Sequence, residues 1–138
     1  MDKDSRGLLL LSDDGELTQR LMHPDFHHPK HYEVELARPM DADFVTVMAA
    51  GMDYGEGQVR QCQVRALSPT RFEIVLTQGK KRQIRRMCRH LGNRVVDLCR
   101  TRLMHLILAD LPEGKYRPLT NAEISELKAS LAQLPELK

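Results

Sequence analysis

The chain has 138 residues, of which 41% are hydrophobic and 29% are charged, and its formal net charge is +2. This profile is typical of one soluble globular domain, and a chain of this length can bury a core without a disulfide or a structural metal. The apolar run at residues 8–11 is far shorter than the ~20 residues that cross a bilayer, and it does not resemble a secretion signal. We therefore expect a cytoplasmic protein with no membrane partner.

In the first half of the chain, strand and helix patterns alternate. Residues 8–11 predict a short buried strand, and residues 12–15 have the composition of a helix N-cap. The helix that follows ends at Pro24. Residues 30–37 alternate apolar and acidic side chains as a half-buried strand requires, and a second helix begins at Asp41.

The middle of the chain predicts a turn region and a hairpin. Residues 51–57 are punctuated by glycine, and they lack the pattern of a phosphate-binding loop. Residues 62–66 and 72–76 both alternate with a period of two, and the turn signal at residues 68–70 separates them. We expect these two strands to pair antiparallel.

The last third predicts a basic helix, two strands and a terminal helix. Residues 80–91 carry apolar side chains at helical spacing with arginines between them. Residues 95–98 and 103–108 are typical of strands, and Thr120 with Glu123 forms a capping box for the last helix, which should pack on the sheet. The pattern as a whole predicts an α+β fold with a largely antiparallel sheet and helices packed on it.

Positive charge is concentrated in one part of the chain. Residues 79–102 contain nine Lys or Arg and one acid, so this segment carries +8 and the rest of the chain carries −6. Such polarity favours a face that binds a polyanion. The alternative is a solvated charged helix that binds nothing.

The cysteines and histidines do not predict a metal site. Cys62, Cys88 and Cys99 lack a C-x-x-C spacing and are typical of reduced thiols in or near a core. Four histidines lie between residues 23 and 31, but no cysteine or carboxylate pair completes a ligand set at the required spacing. We expect no metal.

Three segments carry a family resemblance: DKDSRGLLLL at residues 2–11, KHYEV at 30–34 and QGKKRQIRRM at 78–87. In this order they resemble the bacterial ribosomal-RNA pseudouridine synthases, whose full-length members carry an N-terminal S4 RNA-binding domain. The chain is most similar to the branch that acts on large-subunit rRNA and, in some members, on a tyrosine tRNA. The likeness runs through nearly the whole chain and implies the catalytic-domain fold of that family.

The resemblance implies three catalytic residues and no cofactor. The family's aspartate falls on Asp2, its tyrosine on Tyr32 and its basic partner of the aspartate on Arg85; Asp4 is a weaker alternative to Asp2. The reaction breaks the N1 glycosidic bond of uridine, turns the uracil and rejoins it through C5 without redox change. The carboxylate acts as nucleophile or as base toward the ribose, and both alternatives stay open. Tyr32 would stack on the uracil.

For each of these residues the sequence also allows an ordinary role. Tyr32 could be a common strand aromatic, and Arg85 could contact phosphate only. The resemblance implies RNA as the partner, and five cations of the basic segment would neutralise its backbone. These are Lys80, Lys81, Arg82, Arg86 and Arg89.

The chain departs from the family at its beginning. Family members have Gly-Arg-Leu and further sheet strands before the aspartate, whereas here only Met1 precedes Asp2. We therefore expect residues 1–138 to form one partial catalytic domain without an S4 domain and with its N-terminal strands missing. An exposed sheet edge would then favour self-association. We expect weak or absent turnover, and the alternative is a noncatalytic remnant that still binds RNA.

Overall fold

The computed structural model describes residues 4–22, 28–55, 58–77 and 82–132. The helices in these ranges are α1 (Gly15–Met22), α2 (Phe44–Ala50), α3 (Gln83–His90) and α4 (Asn121–Ala132). The strands are β1 (Arg6–Gly7), β2 (Lys30–Leu36), β3 (Met52–Asp53), β4 (Gln58–Val59), β5 (Gln63–Ser68), β6 (Arg71–Leu76), β7 (Val95–Leu103) and β8 (Leu106–Ile107).

One sheet organises the fold. Its strand order is β1-β7-β2-β6-β5, and β8 pairs with β7 off this path. β1 runs parallel to β7, whereas the other pairs in the sheet are antiparallel. The prediction of an α+β fold with a largely antiparallel sheet is confirmed, as is the β5–β6 hairpin. No helix in the described part of the chain is long and apolar enough to cross a membrane.

We call the face of the sheet that carries the hydrophobic core the inner face. Strands β2 and β6 place alternate residues on it, because successive side chains of a strand point to opposite sides. Val34, Phe72 and Ile74 are fully buried there, and the rings of Phe44 and Phe72 meet edge to face with centroids 5.4 Å apart. Helices α2 and α3 contribute further apolar side chains to the same cluster.

The opposite, outer face carries charged side chains in pairs. Arg71 contacts both Glu33 and Glu35 at 3.2 Å. Arg6 donates two hydrogen bonds to the Asp97 carboxylate, at 2.8 and 2.6 Å. A further outer-face pair joins Arg65 and Glu73 at 3.3 Å. These residues hold their places because cross-strand neighbours with opposite charges attract each other.

Helix α4 begins with the predicted capping box. The Glu123 amide donates to Thr120 Oγ1 at 3.1 Å, and the Thr120 amide donates to Glu123 Oε1 at 2.8 Å. Arg117 holds the same carboxylate through two more hydrogen bonds at 2.7 and 2.8 Å. The helix contacts α1, and His105, beyond the end of β7, lies 3.1 Å from the Glu123 main-chain oxygen.

Three predictions about strands differ from the structure. Residues 8–11 are not a buried strand: β1 is only Arg6–Gly7, and Leu9 and Leu11 are 57% and 81% exposed. Beyond Leu8, whose amide donates to the Arg100 main-chain oxygen, the chain leaves the sheet, because the cap of α1 begins four residues later.

The other two differences lie in β7 and in the glycine-rich region. The strands predicted at residues 95–98 and 103–108 have different bounds in the structure. β7 runs on to Leu103, because β2 pairs along its length and keeps the polar residues 100–102 extended, and β8 follows after a turn at residues 104–105. The turn region contains the small hairpin β3–β4. The cysteine prediction is confirmed, since Cys88 and Cys99 are buried, Cys62 is half-buried and all three are free thiols.

Candidate active site

The segment before β1 is held against the start of α3 by two arginines. Arg82 donates to both oxygens of the Asp4 carboxylate, at 2.9 and 3.1 Å. Arg85 Nη2 donates to the main-chain oxygen of Asp4 at 2.9 Å and to Ser5 Oγ at 3.2 Å, and its Nε lies 3.5 Å from the Asp4 carboxylate. Bidentate guanidinium–carboxylate pairs of this kind fix orientation as well as distance.

Helix α3 presents Arg85 by burying its other side. Ile84, Met87 and Cys88 belong to the core, and only 13% of the Arg85 side chain is exposed. Arg82 stands just before the helix in a left-handed backbone conformation with φ of 53°. Because the apolar side of α3 packs on the core, Arg85 faces the β1 segment while Arg89 faces solvent.

Asp4 is kept ionised by this contact. The hydrogen bond from Arg82 holds the pKa of the Asp4 carboxyl below its usual range, and the charges of Arg85 and Arg82 act in the same direction. A carboxylate that is already bound on both oxygens is suited to holding a segment in place. We assign Asp4 this positioning role in the arrangement of the site.

Tyr32 lies two strands away from β1. It is opposite Arg100 in the antiparallel β2–β7 register, and Gly7 is opposite the same Arg100 in the parallel β1–β7 register. Directly opposite residues point to one face, so Tyr32 and Arg100 share the inner face, and Gly7 is about 10 Å from Tyr32 across the sheet. Tyr32 is half-buried against the core cluster to which α3 also contributes.

Gly7 allows the close approach of β1 to β7. Its φ is +107°, and a Cβ atom built there would overlap the main-chain nitrogen and oxygen of Arg100. Only glycine combines this backbone conformation with the missing side chain. The glycine in the first of the three family segments thus has a structural reason.

Several of the sequence-predicted site residues lie outside the described ranges. Asp2, Lys80 and Lys81 belong to this group, so their proposed roles stay predictions. Arg85 lies beside the Asp4–Ser5 segment, and its pairing with Asp2 stays a prediction. Of the remaining cations, Arg82 is bound to Asp4, Arg86 is half-buried and Arg89 is exposed. Among the described residues no cluster of three or more His, Cys, Asp or Glu side chains could hold a metal.

Sequence reasoning missed two features of this region. The sequence predicted Asp4 only as a weaker alternative to Asp2, because the hydrogen bond between Asp4 and Arg82 joins residues 78 positions apart. It also gave no separate role to Lys30 and Arg100. The period of two places Lys30 on the face of Tyr32, but a register irregularity between His31 and Tyr32 decides that Arg100 joins them.

A comparison with family models agrees with this arrangement. A model described as RNA pseudouridylate synthase matches residues 1–90. The chain belongs to the RNA pseudouridylate synthase family. The match includes both the β1 segment and helix α3, so the two parts that Asp4 joins lie within the family's own pattern.

Named relatives extend the likeness over most of the chain. Dual-specificity RNA pseudouridine synthase RluF of Escherichia coli (strain K12) is 39% identical over 127 residues, which cover 92% of this chain and 44% of that protein. Ribosomal small subunit pseudouridine synthase A of Yersinia pestis is 36% identical over 132 residues, which cover 94% of this chain and 56% of that protein. The chain spans about half the length of these curated relatives.

A solved structure gives the same result for the fold. A crystal structure of a pseudouridylate synthase superimposes with a TM-score of 0.85 at 34% identity, covering 92% of this chain and 56% of the other. The family resemblance read from the sequence and the pseudouridine synthase fold are therefore confirmed.

Proposed function

We propose that this protein isomerises uridine to pseudouridine in RNA. The observation that carries the proposal is the contact of Arg85 with the Asp4–Ser5 segment, two residues after Asp2, in a chain of the RNA pseudouridylate synthase family. Because Asp4 is only two residues after Asp2 in the sequence, we propose that this contact keeps Arg85 near the catalytic carboxylate. Tyr32 lies across the adjoining strands on the inner face.

The three proposed catalytic residues divide the chemistry. Asp2 acts on the ribose as nucleophile or base while the bond between N1 and C1′ breaks. Tyr32 offers its ring to the uracil as the base turns, and the new bond then joins C5 to C1′ while the C5 proton is lost and N1 gains one. Arg85 keeps Asp2 ionised and aimed by its charge. We propose that the reaction uses no cofactor, because the glycosidic bond is broken and remade without redox change.

We propose large-subunit ribosomal RNA as the substrate, with a tRNA as a second one, in the cytoplasm. Support comes from the order of the three family segments and from the higher identity to dual-specificity enzymes than to the small-subunit enzyme of Yersinia pestis. The RNA backbone would cross the solvent side of α3, where Arg89 is exposed, together with Lys80, Lys81, Arg82 and Arg86.

We also propose that the chain, as one partial catalytic domain, self-associates through the β1 edge of the sheet. In the described sheet β1 is an end strand, and a cavity of about 500 Å³ lies beside it. Leu9, Leu11, Ile107 and Tyr116 expose apolar surface around this cavity. A second copy would cover this surface and the open edge. Sedimentation of a stable monomer at micromolar concentration would contradict this part.

The activity is tested with RNA that carries tritium at C5 of uridine, because the new bond at C5 releases that hydrogen. Under single-turnover conditions with excess protein, the chain should release tritium from a ribosomal RNA fragment. Asp2→Asn should stop the release while RNA affinity stays within about twofold. Asp13→Asn is the matched control, since Asp13 is an exposed aspartate before α1, and it should change nothing.

Two results would overturn parts of the proposal. Release by Asp2→Asn at the rate of the unchanged chain would contradict the role of Asp2. Tight RNA binding without any release would contradict the activity and would favour the RNA-binding remnant that is the alternative.

A further inference from the structure

Two cations stand together on the inner face beside Tyr32. Lys30 precedes Tyr32 by two residues on β2, and Arg100 is directly opposite Tyr32 on β7. Within the part of the chain that the structure describes, neither side chain pairs with a carboxylate. By contrast, Arg6, Arg65 and Arg71 on the outer face each have an acidic partner.

Local packing fixes both cations. Lys30 lies between Leu76 on β6 and Leu103 on β7, and both leucines are buried. Its carbon stem therefore lies against apolar side chains. Arg100 donates from Nε to the Leu8 main-chain oxygen at 2.8 Å, which orients the guanidinium. Its two terminal nitrogens can donate to another acceptor, and none of the described carboxylates pairs with them.

This arrangement is unfavourable without an anion. Burial lowers the pKa of Lys30 below its ordinary value of 10.5, and the neighbouring Arg100 guanidinium lowers it further. Two like charges that share a half-buried position repel each other more than they would in water. Perturbed groups of this kind cluster at functional sites, where a ligand supplies the missing charge.

We propose that Lys30 and Arg100 together bind one phosphate of the RNA, adjacent to the uridine that stacks on Tyr32. This inference rests on the proposed function. Arg100 is directly opposite Tyr32, about 5 Å away at Cβ, and Lys30 lies two residues from Tyr32 on the same face of β2. The nucleotide that places its base on Tyr32 would therefore bring its own phosphate within reach of both cations. A guanidinium with two free terminal nitrogens matches the geometry of phosphate oxygens.

The site differs from the basic surface of α3 in what it recognises. Exposed arginines such as Arg89 would neutralise the backbone wherever it crosses the surface, and they would do so for many RNA conformations. Lys30 and Arg100 are half-buried beside the base-stacking tyrosine. They would bind only the phosphate of a nucleotide that has left its stack, and so they would favour the extruded uridine over the stacked one.

The test is the salt dependence of RNA binding. Lys30→Met keeps the length of the side chain and removes the charge, so it should weaken binding of a single-stranded RNA about tenfold and reduce the slope of log affinity against log salt by about 0.7. Lys128→Met, on an exposed position of α4, is the matched control and should leave affinity and slope unchanged.

A double variant tests whether the two cations share one phosphate. Arg100→Gln should resemble Lys30→Met, and the double variant should lose less than the sum of the two single effects, because one phosphate serves both residues. Arg100→Lys keeps the charge but loses the two terminal nitrogens, so it should restore only part of the binding lost in Arg100→Gln. If the ligand is a nucleotide of the RNA, inorganic phosphate alone at micromolar concentration should not bind at these two residues.

The outcomes separate this inference from the proposed function. An unchanged salt slope in Lys30→Met, with a folded protein by circular dichroism, would overturn the phosphate site even if tritium release persisted. Additive losses in the double variant would show two separate phosphates and would contradict the shared site. A reduced slope in a chain that releases no tritium would support the site and contradict only the proposed activity.

Discussion

The two faces of the sheet differ in whether their cationic side chains have acidic partners. On the outer face Arg6, Arg65 and Arg71 each lie against a carboxylate, and Arg71 contacts two. On the inner face, Lys30 and Arg100 stand side by side with no acidic partner among the described residues. The outer-face pairs hold neighbouring strands together within the chain. The inner-face pair is complete only when an anion from outside arrives.

This difference separates residues that hold the strands together from residues that we propose bind the RNA. Exposed ion pairs contribute little to stability, about 0–1 kcal/mol each, but they satisfy every charge locally. Unpaired, half-buried like charges reduce stability, and proteins keep such arrangements where a function needs them. The predictions below test this separation on both faces.

The largest change in the free energy of unfolding is expected on the inner face, and two adjacent residues of β6 allow a direct comparison with the outer face. Phe72 is fully buried on the inner face, whereas Arg71 lies on the outer face. Phe72→Ala should lower the free energy of unfolding by about 3–5 kcal/mol, because it leaves a cavity against Phe44. Arg71→Ala should lower it by at most about 1 kcal/mol. Urea denaturation of both variants measures the contrast, and equal losses would contradict the division between the faces.

The next effect concerns β1, the end strand of the described sheet, which pairs with β7. Gly7→Ala should lower the free energy of unfolding by about 1–3 kcal/mol, because the new Cβ overlaps the Arg100 main chain and the backbone there has positive φ. Thermal unfolding measures this change. Gly55→Ala is the control: it has the same sign of φ but open space around it, so the difference between the two variants isolates the contact with β7.

A smaller effect of opposite sign should appear at the inner-face cations. Lys30→Met should raise the free energy of unfolding by about 0.5–1 kcal/mol at pH 7, because it removes the repulsion from Arg100 and keeps an apolar stem between two leucines. Urea denaturation without RNA measures the change. A clear loss of stability would show that Lys30 stabilises the fold and would weaken its assignment to an anion site.

The smallest effect should appear as a pH dependence of the outer face. The hydrogen bonds from Arg6 hold the pKa of Asp97 below its ordinary value of 3.8. Its contribution, under about 1 kcal/mol at this exposure, is therefore fully present above pH 3.8 and is lost as the pH falls through the folded-state value. The melting temperatures of the unchanged chain and of Asp97→Asn should differ at pH 7 and converge below pH 3.8. A constant difference would contradict the pair.

The sequence predicted the architecture well where the evidence is local. The period of two in β2 and β6, the helical spacing in α3 and the capping box of α4 all depend on residues a few positions apart. It failed where partners are distant. The run of four leucines at residues 8–11 has the composition of a buried strand, yet the contacts of the segment lie with β7, more than 90 residues later.

The site divides in the same way. The family segments predicted Tyr32 and Arg85 as site residues. The structure places Arg85 against the segment before β1 and Tyr32 two strands away on the inner face. The pairing of Asp4 with Arg82 and of Lys30 with Arg100 depends on the sheet register and on how α3 faces β1, which no single segment encodes. Asp2, Lys80 and Lys81 lie outside the described residues, so their roles are for the variants above to test.

The two-residue strand β1 also bears on the order in which the protein assembles. Arg6 meets Asp97 across 91 positions of sequence, and loop closure over that distance is slow relative to forming a hairpin such as β5–β6. During synthesis the β1 segment leaves the ribosome before α3 and β7, so it can dock only after they have emerged. In hydrogen exchange, the amides of β1 should therefore open before those of β2 and β6, so the proposed site can come apart while the sheet stays folded.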